Sequence, residues 1–423
     1  MKRISLVILN YLLFIIQYSV KEQEPLALQK AYDLAQRNYP LVKHRELIRQ
    51  ASAFTVDNLG KGFLPQLSLN AQATYQSEVT QVKIPVPGFA VDPLNKDQYK
   101  ILADVNQLIY DGGVIKQQKS IQQLNEETEQ QKVEVELYKL KERINQLFLG
   151  VLFLDEQLKQ VDLIKADLNN GIKKVEAQVN NGVAFRSNLN VLKAELLKAE
   201  QRIIELRSTR KGFIDVLGLF LGQSLPEDQQ LEKPVVNAVP VDVEIQRPEM
   251  KLFSAQEKLL GGQFSLIDAK NRPKASLFFQ GGYGRPGLNF LNNEFDLFYT
   301  TGVRLNWSFG GLYLQKREKK IIELSQKIIN NQKDVFLLNT HTQLKQQQSE
   351  IDKMVKLIST DREIIGLRIS VKEAAKAQLE NGVITANDYL REVNAEDQAR
   401  QSLILHEVQL LQARINYQTV LGK

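Results

Sequence analysis

The tripeptide Asn181-Gly182-Val183 recurs as Asn381-Gly382-Val383, and this repeat decides how the rest of the chain is interpreted. In both places a Leu-Gly pair follows, at Leu221-Gly222 and Leu421-Gly422. The glycine of each pair lies 40 residues after the glycine of the preceding tripeptide. Self-similarity at a fixed offset is typical of duplicated architectures. The sequence therefore predicts two structural repeats of similar design.

Further landmarks precede the tripeptides in the same order. Pro40 and Pro65 are 25 residues apart, and Pro248 and Pro273 have the same spacing. A double glycine then follows in each half of the chain. Three prolines lie between the halves and indicate a linker. We place the first repeat at residues 21–222, the linker at 223–245 and the second repeat at 246–423.

Long stretches without proline surround the tripeptides and predict long helices. Apolar residues recur there at steps of three and four, as in a coiled-coil seam; these are Leu137, Leu140, Ile144, Leu147, Val151, Leu154, Leu158 and Val161. The same spacing resumes after Gly182, so Asn181-Gly182 is predicted as the turn of an antiparallel helical hairpin. The predicted helices are 26–62, 114–181 and 183–221 in the first repeat, and 247–270, 312–381 and 385–421 in the second.

Two segments of each repeat alternate between apolar and polar residues. Leu67, Leu69 and Tyr75, for example, are separated by polar side chains, as in a strand with one apolar and one wet face. The runs have about the length of 9–11 residues that a tilted membrane strand needs. A soluble β-hairpin packed on helices is the alternative interpretation. The predicted strands are 66–82 and 97–110, then 274–284 and 295–308.

The N-terminus has the features of a secretory signal, which we place at residues 1–20. Lys2 and Arg3 precede an apolar run from Ile4 to Ile16, which is too short to span a bilayer comfortably. A retained N-terminal anchor is the alternative. No other segment approaches 18 apolar residues, so an exported chain that enters a membrane is expected to use β-strands.

Composition excludes several classes of function. The chain has no cysteine, so it has no disulfides, thiolate metal sites or cysteine nucleophiles. Its three histidines do not have the spacing of metal ligands. The net charge of +6 is spread along the chain without the dense basic block that would indicate nucleic acid. No pair of carboxylates stands out as catalytic, so the sequence predicts neither an enzyme nor a metal site.

Four strands cannot close a membrane barrel, because about eight is the smallest number known. If the predicted strands enter a membrane, several chains must therefore contribute to one barrel. Three copies would supply twelve strands.

The chain resembles the TolC family of outer-membrane efflux proteins. The resemblance rests on the prolines near the strands, on Asp111-Gly112-Gly113 and Phe309-Gly310-Gly311 at the strand-to-helix junctions, and on the two tripeptides. It implies an α+β membrane protein with an internal two-fold repeat. Long antiparallel helices would form a coiled-coil barrel in the periplasm, and four strands per protomer would join a twelve-stranded trimeric β-barrel in the bacterial outer membrane.

The resemblance also implies a function and partners. The protein would be the passive channel component of a tripartite efflux or type I secretion system. It would act as a homotrimer in outer-membrane lipid, with a periplasmic membrane-fusion adaptor and an inner-membrane pump of RND or ABC type. No catalysis, cofactor or nucleic acid is implied. A secreted coiled-coil scaffold or adhesin without a pore is the alternative function.

Site residues follow from the same resemblance. The hairpin tips would contact the adaptor, and they map onto Asn181, Gly182, Val183, Asn381, Gly382 and Val383. The family often has an acidic residue six positions after the tip glycine, near the periplasmic mouth. This residue is Asp388 in the second repeat, whereas Asn188 occupies the position in the first. The arginine and tyrosine that lock the mouth in some members are replaced by Ile384 and Leu379.

Asp388 has two interpretations. Three copies around one axis would favour cations and raise the pKa of their own carboxyls by like-charge repulsion. Alternatively, Asp388 is a solvated residue at a helix N-terminus, where the helix dipole stabilises its charge.

Overall fold

The computed structural model describes residues 24–81, 93–236 and 244–423, so the predicted signal at 1–20 lies outside the described residues. The described residues form helices and four antiparallel strands. In chain order these are α1 Leu28–Asn38, α2 Val42–Gly60, a short 3-10 helix Lys61–Phe63, β1 Gln66–Tyr75, β2 Asp97–Tyr110, α3 Val114–Asn180, α4 Arg186–Leu221, α5 Pro248–Lys270, β3 Lys274–Arg285, β4 Asp296–Asn306, α6 Gly310–Glu380 and α7 Ala386–Leu421.

The chain divides into two compact units, and each unit contains segments from both repeats. The first unit comprises the described residues up to Val42, residues 134–248 and residues 336–423. The second comprises residues 43–133 and 249–335. All four strands belong to the second unit, and both helical turns at the repeated tripeptides belong to the first.

The predicted first helix, 26–62, is wrong as a single element, because the chain breaks between α1 and α2. Pro40 causes the break, since its ring disfavours helical backbone at the preceding residue. Tyr39 is extended, with φ −65° and ψ 130°, and its N–H still bonds Ala35 O at 2.9 Å. Val42 N then bonds Tyr39 O at 3.0 Å, so a tight turn separates the two helices.

The four strands form one sheet in the order β1-β2-β3-β4. β2 pairs with β3, so this central pairing joins the two repeats. The prediction that the first strand extends to residue 82 is wrong, because β1 ends at Tyr75, whose partner Asp97 is the first residue of β2. β4 is also shorter than the predicted 295–308, and Trp307 beyond its end donates from Nε1 to Asn271 O at 3.0 Å.

The two faces of the sheet differ as the alternation predicts. One face is apolar and open to solvent, with exposed fractions of 75% for Leu67 and 74% for both Leu69 and Leu305. The other face is mainly polar, although Leu102, Phe278 and Phe298 also lie on it. There, Asn70 Nδ2 donates to Asp104 Oδ2 at 2.8 Å, and Gln280 donates to the same carboxylate. Among the described residues of one copy, the apolar face of the sheet is therefore left open.

The two long helices have 67 and 71 residues, against a mean of about 11–12 for helices in globular proteins. The predicted seam of α3 is confirmed, since Leu137, Ile144 and Val151 are 2% exposed or less. Near the turns, α3, α4, α6 and α7 share one apolar cluster. Its most deeply buried members are Val161, Leu168, Val175, Leu192 and Ala386.

Arg210 interrupts the apolar seam of α4, and the structure gives the reason. Its guanidinium pairs with Asp155 on α3, with Nε 2.5 Å from Oδ1, and donates to the carbonyls of Glu227 and Gln229. Leu26 also forms a parallel bridge with Leu231. The start of the predicted linker is therefore held against the helices of the first unit.

Gly150 and Gly212 provide a matched test of helix packing in the first unit. A Cβ on Gly150 would lie 2.6 Å from Phe213 Cδ2, whereas a Cβ on Gly212 would meet no atom within 4 Å. Overpacking costs about 1–3 kcal/mol, and alanine gains about 1 kcal/mol over glycine in a helix. We therefore expect Gly150→Ala to lower the melting temperature and Gly212→Ala to raise it. A stabilising Gly150→Ala would contradict the close approach of α3 and α4.

Candidate functional site at the hairpin tips

The two turns at the repeated tripeptides have the same backbone structure. Gly182 and Gly382 have φ of 71° and 70°, a left-handed conformation that glycine adopts without strain. Val183 N bonds Gln178 O and Val383 N bonds Gln378 O, both at 2.8 Å. This pattern is the Schellman motif, which satisfies the last carbonyls of a helix.

Both tips expose their apolar residue. Val183 is 72% exposed and Val383 is 70% exposed. A Cβ on either tip glycine would meet no atom within 4 Å among the described residues. The predicted tip residues are therefore open to a partner in one copy of the chain.

The tips differ in how the next helix begins. Thr385, before α7, forms a capping box with Asp388, which satisfies two backbone N–H groups at once. Asp388 N donates to Thr385 Oγ1 at 3.3 Å, and Thr385 N donates to Asp388 Oδ2 at 3.2 Å. The equivalent residue before α4 is Phe185, which has no side-chain cap and is 80% exposed. Among the described residues, no bond from Phe185 N to the Asn188 side chain corresponds to the bond from Thr385 N to Asp388 Oδ2.

The carboxyl of Asp388 has a lowered pKa. The hydrogen bonds from the side chain and the backbone of Thr385 favour the ionised carboxylate. Within one chain this direction is opposite to the rise expected for a ring of three aspartates. The structure thus places Asp388 in a capping box at the N-terminus of α7, while its place at the mouth of a channel stays a prediction.

Polar contacts join the two hairpins beside the tips. Lys174 on α3 pairs with Glu380, the last residue of α6. Gln178 Nε2 also donates to Glu380 O at 3.0 Å. These contacts hold the end of one long helix against the other.

A buried ion pair lies further along the same helices, and the sequence analysis missed it. Lys372 Nζ is 2.7 Å from Glu396 Oε2 on α7 and 3.0 Å from Asp167 Oδ2 on α3. The side chains of Lys372 and Glu396 are only 11% and 6% exposed. Burial lowers the pKa of Lys372, but the hydrogen bonds and charges of Glu396 and Asp167 outweigh it, so the pKa is raised.

The spacing of α6 contains a signal that could have found this pair. Ile358, Ile365, Lys372 and Leu379 follow one another at intervals of seven, and all four are buried. Lys372 thus occupies a seam position of the coiled coil, where a charge needs a buried partner. A second polar residue of this seam, Asp361, accepts from His406 on α7, with 2.6 Å between Oδ2 and Nδ1.

Leu379 and Ile384, at the positions where the resemblance implies the lock residues, contribute to apolar packing. Leu379 is 7% exposed and belongs to the cluster shared by the four helices, and Ile384 packs against it. Tyr389 is buried in the same cluster, and burial raises the pKa of its hydroxyl to about 12. Leu379 and Ile384 therefore provide apolar packing and no polar contact between helices.

The end of the sheet opposite the double glycines carries aromatic residues, which are typical of the membrane–water interface in transmembrane barrels. Phe295 stacks on Tyr283, with 5.5 Å between ring centroids, and on Tyr99. Arg285 lies over the Phe295 ring and pairs with Asp97. A cation among aromatic rings is suited to a boundary between apolar and polar surroundings.

In residues 24–81, 93–236 and 244–423, no three His, Asp or Glu side chains are grouped so that they could hold a metal ion. None of the helices in these ranges is both long enough and apolar enough to cross a bilayer.

Sequence comparison identifies one family. Residues 31–212 match the profile of the outer membrane efflux protein family. The match includes the first tip and ends before the second repeat. No curated protein matches the sequence significantly.

The fold is shared with solved outer-membrane channels. The outer membrane protein VceC from Vibrio cholerae aligns with a TM-score of 0.65 at 14% identity, over 93% of this chain and 96% of that chain. The CmeC outer membrane channel of Campylobacter jejuni aligns with a TM-score of 0.62 at 12% identity, over 93% of this chain and 85% of that chain. The open state of the MtrE outer membrane channel of Neisseria gonorrhoeae aligns with a TM-score of 0.64 at 13% identity, over 93% of this chain and 88% of that chain. At such low sequence identity, the TM-scores establish a common fold and nothing beyond it.

Proposed function

We propose that this chain forms a passive export channel. Residues 31–212 match the outer membrane efflux protein family, and 93% of the chain shares the fold of an outer membrane protein, VceC. The channel lies in the bacterial outer membrane, with its helices in the periplasm. It is the outer component of a tripartite efflux or type I secretion system, and it performs no catalysis.

The observation that carries this proposal is the sheet. Its apolar face is exposed on all four strands, and its opposite face is mainly polar. A soluble protein seldom leaves so large an apolar surface open, whereas lipid on one side and water on the other match both faces. The alternative of a soluble coiled-coil scaffold leaves this surface without a partner.

The number of strands requires more than one copy of the chain. The sheet of one copy has two edges, β1 and β4, whose backbone groups need partners inside a bilayer. Four strands are too few for closure, and two copies would supply the minimum of about eight. Since the resemblance to the TolC family implies three copies and twelve strands, we propose a homotrimer in which β1 of one copy pairs with β4 of the next.

The helical tips are the proposed contact with a periplasmic adaptor, which in turn connects to an inner-membrane pump of RND or ABC type. Support comes from the matched turns at Gly182 and Gly382 and from the exposure of Val183 and Val383. Two tips per chain would give six contact points in a trimer.

The proposed function is tested by purification and reconstitution. The full chain is expected to fractionate with the outer membrane, to require detergent, to form a trimer and to conduct ions in planar bilayers. A monomer that stays soluble without detergent would contradict the channel and support the scaffold or adhesin.

Asp388 can be tested separately as a gate residue. Asp388→Asn removes the charge but keeps an oxygen that can accept from Thr385 N. If Asp388 lines the mouth, this variant is expected to reduce cation selectivity and block by multivalent cations in single-channel recordings. The control is Thr385→Ala, which breaks the cap but keeps the carboxylate. Unchanged selectivity of Asp388→Asn would leave Asp388 with the capping role alone.

A further inference from the structure

The two tips share a backbone but present different surfaces, and this asymmetry separates them as binding sites. Both turns have the same hydrogen bonds and the same glycine conformation. Three residues after the glycine, however, the first tip has Phe185 and the second has Thr385. Backbone geometry therefore does not explain the difference.

Phe185 is unfavourable for the helix that it precedes. A helix N-terminus prefers a side-chain oxygen that accepts from one of its unpaired N–H groups, and phenylalanine has none. Thr385 shows that a capping residue fits this turn. A residue that breaks a local rule without a visible structural gain is expected at functional positions.

The surface around Phe185 is apolar and positively charged. Phe185 and Val183 are 80% and 72% exposed, so together they form an apolar patch on the first tip. Arg186 follows directly and is exposed. Among the ion pairs of the described residues it has no partner, whereas Glu380 beside the second tip is paired with Lys174.

We infer that the first tip is the principal attachment point of the channel, with Phe185 as its anchor. The inference rests on the proposed function and specifies the site. The partner is a periplasmic protein that offers an apolar pocket for the Phe185 ring, with a carboxylate at the rim for Arg186. A buried aromatic anchor beside a charged residue is the usual composition of a binding hot spot. The second tip, with its polar and acidic capping box, contributes less.

Photo-crosslinking in the host cell tests this assignment. Benzoylphenylalanine replaces Val183 or Val383 in the full chain, and the adducts formed on irradiation are identified by mass spectrometry. The yield of adduct with a periplasmic protein is expected to be about tenfold higher at 183 than at 383. Phe185→Thr is expected to reduce the yield at 183 by a similar factor, whereas Phe185→Tyr, which keeps the ring, should retain it.

The outcomes separate this inference from the proposed function. Phe185→Thr introduces a capping residue, so its melting temperature should not fall, and a lost adduct then reports binding. Equal yields at both tips, an unchanged yield in Phe185→Thr, or an adduct with a second copy of this chain would overturn the inference alone. Conducting channels that form no adduct with a periplasmic protein at either tip would overturn the adaptor contact as well.

Discussion

Replacing Leu69 with lysine is expected to prevent assembly of the protein in the outer membrane. Leu69 lies within β1, on the apolar face, and is 74% exposed. A lysine facing lipid near the middle of the bilayer costs about 2–4 kcal/mol per copy, and a trimer carries it three times. The measurement is the fraction of protein in outer-membrane vesicles that resists extraction with urea.

The neighbouring residue gives the matched control. Asn70 lies on the opposite face and donates to Asp104, so a lysine at 70 gains a carboxylate partner in the polar interior. Asn70→Lys is therefore expected to insert like the wild type. Equal insertion of both variants would show that the apolar face does not contact lipid.

Replacing Lys372 with methionine is expected to cause the largest loss of stability among the variants proposed for the first unit. Glu396, at 6% exposure, would lose one of its two cationic partners and keep only Arg400. Removing one partner of a buried pair costs about 3–5 kcal/mol, and since Arg400 remains we expect the lower end, about 3 kcal/mol. Thermal unfolding of the detergent-solubilised protein, followed by circular dichroism, measures the loss.

Two controls distinguish burial from simple loss of charge. Lys353→Met, on the same helix, breaks an exposed pair with Glu350 and should change stability by less than about 0.5 kcal/mol. The double variant Lys372→Met/Glu396→Leu removes both buried charges and should recover most of the loss. A double variant that is no more stable than Lys372→Met would contradict the pairing of these two residues.

The raised pKa of Lys372 also sets a pH dependence. The charge of Lys372 contributes fully to stability below pH 10.5, the ordinary pKa of lysine, which applies in the unfolded chain. This contribution is lost as the pH rises through the higher pKa of Lys372 in the folded protein. The difference in melting temperature between wild type and Lys372→Met should therefore shrink above pH 10.5. A difference that is constant up to strongly alkaline pH would show that the charge of Lys372 does not contribute.

Most of the fold could be predicted from local patterns. The alternation of apolar and polar residues predicted the two faces of the sheet, and the apolar steps of three and four in α3 predicted its buried seam. The glycines of the tripeptides located the turns, because only glycine adopts the left-handed conformation there without strain. The errors arose where one residue or one partner decided a boundary. Pro40 divides the predicted first helix into α1 and α2. β1 ends at Tyr75 because its partner there, Asp97, is the first residue of β2.

The candidate site was predictable in position but not in character. The repeated tripeptides identified both tips, and the structure gives them the same backbone. The structure adds that Asp388 caps α7 through Thr385, whereas its place at the mouth of a channel stays a prediction. The difference between Phe185 and Thr385 was visible in the sequence, but it had meaning only once both residues were placed before matching helices.

The sequence by itself determined the duplication, the alternation of the strands and the seams of the long helices, because these depend on periodicities of two and of about three and a half residues. The tertiary structure alone decided which charges are buried together. Lys372 and Glu396 lie on different helices, as do Arg210 and Asp155, and each pair forms only when the helices pack in one register. A buried charge is stable only beside its partner, so these pairs are properties of the packing rather than of any local pattern.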